Sequence, residues 1–129
     1  MSTVLVDTNV LFRVDIDPSS LSREASRLLR RADVAVADIS WLELAMLARS
    51  GRARPKEPVR AWLGRIQQHV RSVPISPAIA ATAAALEGGF PADPFDRIIY
   101  ATAIEHGWQL VTSDQRMLDY PADRTIAVW

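Results

Sequence analysis

Short apolar runs alternate along this chain with longer stretches in which apolar residues recur every three or four positions. Thr3, Val4, Leu5 and Val6 make a β-branched, apolar run of the kind that forms a strand buried on both faces. Val34, Ala35, Val36 and Ala37 repeat that form. Val73, Pro74 and Ile75 predict a third strand, whose proline places it near a sheet edge. Residues 110–112 and 125–128 predict a fourth and a fifth. Helical periodicity fills the intervals. A short helix is expected over 9–14. Another, capped by Ser22, runs to about Arg31 with Ala25, Leu28 and Leu29 on one face. A third opens at Ser40, reaches Arg49 and is stopped by Gly51. Residues 59–69 carry Trp62, Leu63 and Ile66 on one side. Residues 79–86 are Ala-rich and end at Gly88 and Gly89. Pro94 opens a helix that reaches His106 and stops at Gly107, and 115–118 form a short turn.

Strands alternating with helices imply a parallel sheet covered on both faces, so the fold class is α/β. With 129 residues and neither a repeat nor a linker, the expectation is one domain over 1–129.

Four carboxylates fall where such a sheet places ligands, beyond the carboxyl ends of its strands. Asp7 closes the first strand and Asp114 follows the fourth. Glu43 lies in the first turns of the helix after the second strand, and Asp96 lies just inside the helix opened by Pro94. Each has an ordinary structural explanation beside the chemical one. Asp7 and Asp114 fit helix caps. Ser40 and Glu43 fit the capping box in which a glutamate at the third helical position reaches back to its own cap. Asp93, before Pro94, is the natural cap of its helix, which leaves Asp96 free in the first turn. Arg97 reads as a surface ion pair, and Trp41 as a core residue rather than a stacking platform. Thr8, Asn9, Ser40 and Thr112 are small polar groups able to support the acids. As a set, the four acids would repel one another unless protons or cations intervene, and a divalent cation there could polarise a phosphodiester and acidify a bound water.

Composition narrows the metal. There is no cysteine and only two histidines, so any site is oxygen-rich and favours Mg²⁺ or Mn²⁺ over Zn²⁺. No apolar run approaches the ~20 residues that span a bilayer. The amino terminus lacks a basic, signal-like start, so a cytoplasmic protein away from membranes is expected. The zero net charge hides an asymmetry. Residues 23–71 carry eleven basic side chains against five acidic ones. A basic half beside an acidic one suits a polyanion steered toward a metal site, with Arg49, Arg52, Arg54 and Lys56 as backbone contacts.

The chain resembles PIN-domain ribonucleases of the VapC toxin type. The likeness rests on 4–11, 39–45, 93–99 and 110–114, the segments around Asp7, Glu43, Asp96 and Asp114. It implies a three-layer α/β/α sandwich with a five-stranded parallel sheet in the order 3-2-1-4-5. It implies a Mg²⁺- or Mn²⁺-dependent endoribonuclease with Asp7, Glu43, Asp96 and Asp114 as the metal-holding quartet and Asp93 as a less essential acid. It also implies a homodimer and a VapB-type antitoxin that docks over the site, often inserting an arginine. The implied substrates are structured RNAs, tRNA among them. Leu11 and Phe12 are candidates for an exposed apolar contact surface. A PIN scaffold used only for binding RNA or protein is the alternative. A receiver-like signalling module would need paired acids after the first strand and a late lysine. Here Thr8 and Asn9 follow Asp7, and the single lysine is Lys56. A P-loop and a Gly-x-Ser-x-Gly elbow are both absent.

Overall fold

The computed structural model describes residues 2–122 and 125–129. Five strands form one sheet in the order β3-β2-β1-β4-β5. They are β1 (Thr3–Val6), β2 (Asp33–Ala37), β3 (Arg71–Val73), β4 (Gln109–Val111) and β5 (Ala127–Val128). Every pairing is parallel, so each connection crosses over the sheet. The crossovers carry α1 (Thr8–Ile16), α2 (Arg23–Arg31), α3 (Ile39–Arg49), α4 (Val59–Gln67), α5 (Pro77–Ala85), α6 (Pro94–His106) and α7 (Gln115–Leu118).

The period of two along the strands sorts the core into two layers. Val4 and Val6 of β1, Val36 of β2 and Val111 of β4 face one side. They meet Val10 and Leu11 of α1, Ala25 of α2, Leu44 of α3, and Trp62 and Ile66 of α4. Leu5, Ala35, Ala37, Val73 and Leu110 face the other side, against Ile99, Tyr100 and Ala103 of α6 and Met117 of α7. Ile79 and Ala83 bring α5 onto Ala101 of α6. Strands buried on both faces need continuous apolar runs, which is what the sequence supplies. The result is the expected three-layer sandwich with its expected strand order.

Local chemistry sets the element ends. Ser22 Oγ accepts the Ala25 N–H at 3.0 Å, and Ser76 Oγ accepts that of Ile79 at 3.1 Å. Gly107 closes α6 at φ 70° and ψ 27°, a left-handed conformation that costs glycine little. Three expectations shift. The third strand is Arg71–Val73 and stops before Pro74, which has no N–H to continue the ladder. The first helix starts at Thr8 and runs on to Ile16, because Asp7 itself is its cap. Leu11 is core rather than surface, and Phe12 is half-buried against the same cluster.

The switch point of this order lies between β1 and β4, where the chain leaves in opposite directions to either side. The Asp7 N–H bonds to the Val111 carbonyl at 3.0 Å and holds those two strand ends together. Among the described residues, no helix is long and apolar enough to cross a membrane.

Candidate functional site

A cleft of about 290 Å³ opens at this switch point, lined by Asp7, Thr8, Asn9, Glu43, Leu47, Arg52, Asp93, Asp96, Asp114 and Arg116. The carboxylates reach it because β1 and β4 end there, and because α1, α6 and α7 all begin there. Helix N-termini favour negative charge, which offsets part of the repulsion among acids so close together.

Asp7 is buried and doubly held. Its Oδ1 accepts the Thr8 N–H at 2.8 Å, and its Oδ2 accepts the Thr112 hydroxyl at 2.7 Å. Burial pushes its pKa up, while the bonds from Thr112 and Thr8 pull it back. Thr112 Oγ1 also accepts the Asp114 N–H at 3.0 Å, so one hydroxyl links two of the acids. Asp93 caps α6 by accepting the Phe95 N–H at 2.8 Å. Asp96 stands in the first turn of α6, 9% exposed. Its pKa is pushed up to about 7, first by burial and then by the charges of Asp93, Asp7, Asp114 and Glu43.

Asp114 caps α7. Its Oδ1 accepts the Arg116 N–H at 2.9 Å, and the guanidinium of Arg116 holds it below the usual carboxylate range. Glu43 projects from α3. Burial raises its pKa, the nearby Thr8 hydroxyl lowers it, Asp7 and Asp93 push it up, and the Arg52 cation pulls it back. Its Oε1 is buried and accepts no hydrogen bond among the described residues. An acceptor hidden from water and left without a donor is costly, so this oxygen is poised for a cation or a water.

A model of the PIN domain matches residues 4–123. The chain is 50% identical to Ribonuclease VapC22 of Mycobacterium tuberculosis, over all of both sequences. This protein belongs to the PIN-domain family, on its VapC branch. Among solved structures it is similar to a toxin–antitoxin complex from Klebsiella pneumoniae, with TM-score 0.67 and 25% identity over 98% of this chain and 96% of that one. A second likeness, to VapBC2 from Rickettsia felis bound to a DNA fragment from its promoter, has TM-score 0.66. It is 17% identical over 98% of this chain and 97% of that one.

Of the residues singled out from sequence, this PIN domain brings Asp7, Thr8, Asn9, Glu43, Asp93, Asp96 and Asp114 into one cleft. Thr112 stands behind Asp7. Ser40 lies there too, but not as a cap. The helix begins one residue earlier, at Ile39, and Ser40 is buried inside its first turn, where its Oγ accepts the Thr8 hydroxyl at 2.9 Å. The capping-box reading of Ser40 and Glu43 is therefore wrong. Glu43 sits beyond the first turn and faces the acids. Of the basic flank, Arg52 alone lines the cleft. Arg54 bonds to the Gly51 carbonyl, and Arg49 and Lys56 are exposed outside it.

Two arginines differ from expectation. Arg97 is no surface ion pair. Its guanidinium donates to the carbonyls of Pro91, Ala83 and Leu86, each at 3.0 Å, and straps the loop before α6 to the end of α5. Arg116 had no role read from sequence, yet its Nη2 reaches Asp114 Oδ2 at 2.8 Å and Asp96 Oδ2 at 3.3 Å. No periodicity flags it, because its second partner lies 20 residues away on another helix. Trp41 is half-buried. Its Nε1 donates to Ser72 Oγ at 3.0 Å, while its ring lines an apolar hollow with Val59 and Leu63, apart from the acids.

Proposed function

We propose that this protein is a divalent-metal-dependent endoribonuclease and the toxin of a VapBC-type pair. The observation that carries this reading is the cleft itself. Asp7, Glu43, Asp93, Asp96 and Asp114 converge there, and a buried Glu43 oxygen has no hydrogen-bond donor among the described residues. The name of the full-length relative, a ribonuclease, and the toxin–antitoxin complexes among the structural neighbours support the substrate class and a VapB-type partner.

The donors fit Mg²⁺ or Mn²⁺. All are hard carboxylate oxygens, no thiolate exists in the chain, and neither His69 nor His106 lines the cleft. Asp7, Asp96 and Asp114 would hold the metal, directly or through water, and Glu43 would hold it or orient the attacking water. A metal bound there supplies charge for the phosphodiester and lowers the pKa of a water. The chain's own residues do the rest. Thr112 and the Thr8 N–H orient Asp7 and offset part of the rise in its pKa that burial causes. The Ser40–Thr8 bond ties the first turn of α1 to that of α3 beneath the cleft. Arg52 stands on the rim as a cation for RNA phosphate, with Arg49, Arg54 and Lys56 as more distant backbone contacts. A homodimer and a structured RNA such as tRNA complete the reading.

The test is cleavage of total cellular RNA by purified, antitoxin-free protein in Mg²⁺, Mn²⁺ or EDTA, beside Asp7→Asn. Discrete cuts that need metal and vanish in the folded variant are expected. Equal cutting in EDTA, or full activity in Asp7→Asn, would overturn the metal site. Complete inactivity of well-folded protein on every RNA offered would favour the binding-scaffold alternative.

A further inference from the structure

We propose that Arg116 is an internal counter-ion that competes with the divalent metal for Asp96 and Asp114, so that metal binding requires its guanidinium to leave the cleft. The inference rests on the metal-site reading above and adds to it a residue of the chain that occupies the metal's own ligands.

The geometry carries it. Arg116 grips Asp114 with two nitrogens, Nε to Oδ1 at 3.2 Å and Nη2 to Oδ2 at 2.8 Å. The same Nη2 reaches across to Asp96 Oδ2 at 3.3 Å. One guanidinium thus bridges two carboxylates at the N-terminal ends of different helices, which otherwise repel. Among the described residues, no three acidic or imidazole side chains are gathered as a ready-made metal cage. A planar guanidinium between two acids holds them farther apart than a small divalent ion would.

Arg116 is also built to leave. Its side chain is 63% exposed. Its described side-chain bonds run only to Asp96 and Asp114. Arg97 is the contrast, a half-buried guanidinium clamped by three carbonyls and sitting 5.8 Å from the Phe90 ring centroid. An exposed, flexible arginine is a weak lock that a divalent cation can open. A weak lock still taxes affinity, because the metal sees only the fraction of molecules in which the acids are free.

The deciding experiment is Mn²⁺ titration by calorimetry of metal-stripped full-length protein, comparing wild type, Arg116→Gln, Arg116→Lys and Arg23→Gln. Arg23 is exposed on α2, away from the cleft, so its loss changes the net charge equally without touching the acids. Arg116→Gln is expected to bind Mn²⁺ about 3- to 10-fold more tightly than Arg23→Gln, as for a site free only about 10–30% of the time in wild type. Arg116→Lys should fall between, keeping the charge but losing the fork. A merely structural Arg116 would lower the melting temperature and leave Mn²⁺ affinity level with the Arg23 control. That outcome, or weaker binding, would overturn the proposal while the metal site stands. Absence of Mn²⁺ binding in both wild type and Arg116→Gln would overturn the metal reading and this inference with it.

Discussion

The Thr112 hydroxyl donates to Asp7 Oδ2 at 2.7 Å across 105 residues of sequence, and Thr112 Oγ1 in turn accepts the Asp114 N–H. Thr112 is wholly buried, so the bond is sheltered from water. Thr112→Val keeps the shape and removes the donor. Asp7 then keeps its burial but loses the larger of the two bonds that offset it. Metal affinity or cleavage is expected to fall about 10- to 100-fold, the usual cost of losing a group that orients a ligand. Stability should drop by about 1–2 kcal/mol from the unpaired groups left behind. Thr112→Ser should recover most of both. Unchanged cleavage in folded Thr112→Val would remove the hydroxyl from the site.

Asp96 ionises near pH 7 in the folded protein, against 3.8 for an ordinary aspartate. Between those values the folded protein holds a proton that the unfolded chain has released. Its contribution is therefore full at low pH and disappears as pH rises through 7. Asp7 and Glu43 are shifted in the same direction. Asp15 and Asp114 are shifted downward, so their opposite effect is complete in acid, below this window. Metal-stripped protein in EDTA should thus melt higher at about pH 5.5 than at about pH 8. Asp96→Asn should flatten much of that difference and raise the melting temperature at the higher pH. A melting temperature that climbs steadily from pH 5.5 to 8 would refute the repulsion described here.

Much of this site can be read from sequence because its parts are local. An apolar run ending at Asp7, and Asp93 before Pro94, each announce a strand end or a helix start within a few residues. Seven helices, a parallel sheet and two buried faces follow from the same short-range periodicities; the order of the strands comes from the family likeness. What escaped was set by contacts across the fold. Ser40 and Glu43 have the spacing of a capping box, but the helix starts at Ile39 and the Ser40 oxygen is taken by Thr8 on a neighbouring element. Arg116 and Arg97 look like surface cations until the fold supplies Asp96 to one and three carbonyls to the other.

Arg97 yields a stability prediction independent of catalysis. One carbonyl partner, Ala83, lies in the last turn of α5, and the other two, Leu86 and Pro91, lie on the segment joining α5 to α6, which carries Asp93 into the cleft. Arg97→Met keeps most of the aliphatic stem and removes every donor. Unfolding in urea should show a loss of about 2–3 kcal/mol, since charge-assisted bonds to sheltered carbonyls are replaced by none. A loss within the range of an ordinary surface substitution, about 0.5 kcal/mol, would mean that the strap holds nothing.

Arg52 is the one member of the basic flank that the fold turns into the cleft, and it acts there on two things at once. Its charge pulls the Glu43 pKa down, and it stands on the rim where an RNA phosphate would pass. Removing it by Arg52→Gln should therefore move two separate readouts. The acid limb of the pH–rate profile should shift upward, because Glu43 loses a cation that pulls its pKa down. The slope of log affinity against log salt for single-stranded RNA should fall by about 0.7, one phosphate contact's worth. Replacing Arg49, Arg54 and Lys56 together should lower that slope without moving the pH profile, because none of them lines the cleft. An unaltered salt slope in folded Arg52→Gln would take it off the RNA path. An unaltered pH profile would show that Glu43 does not carry the acid limb.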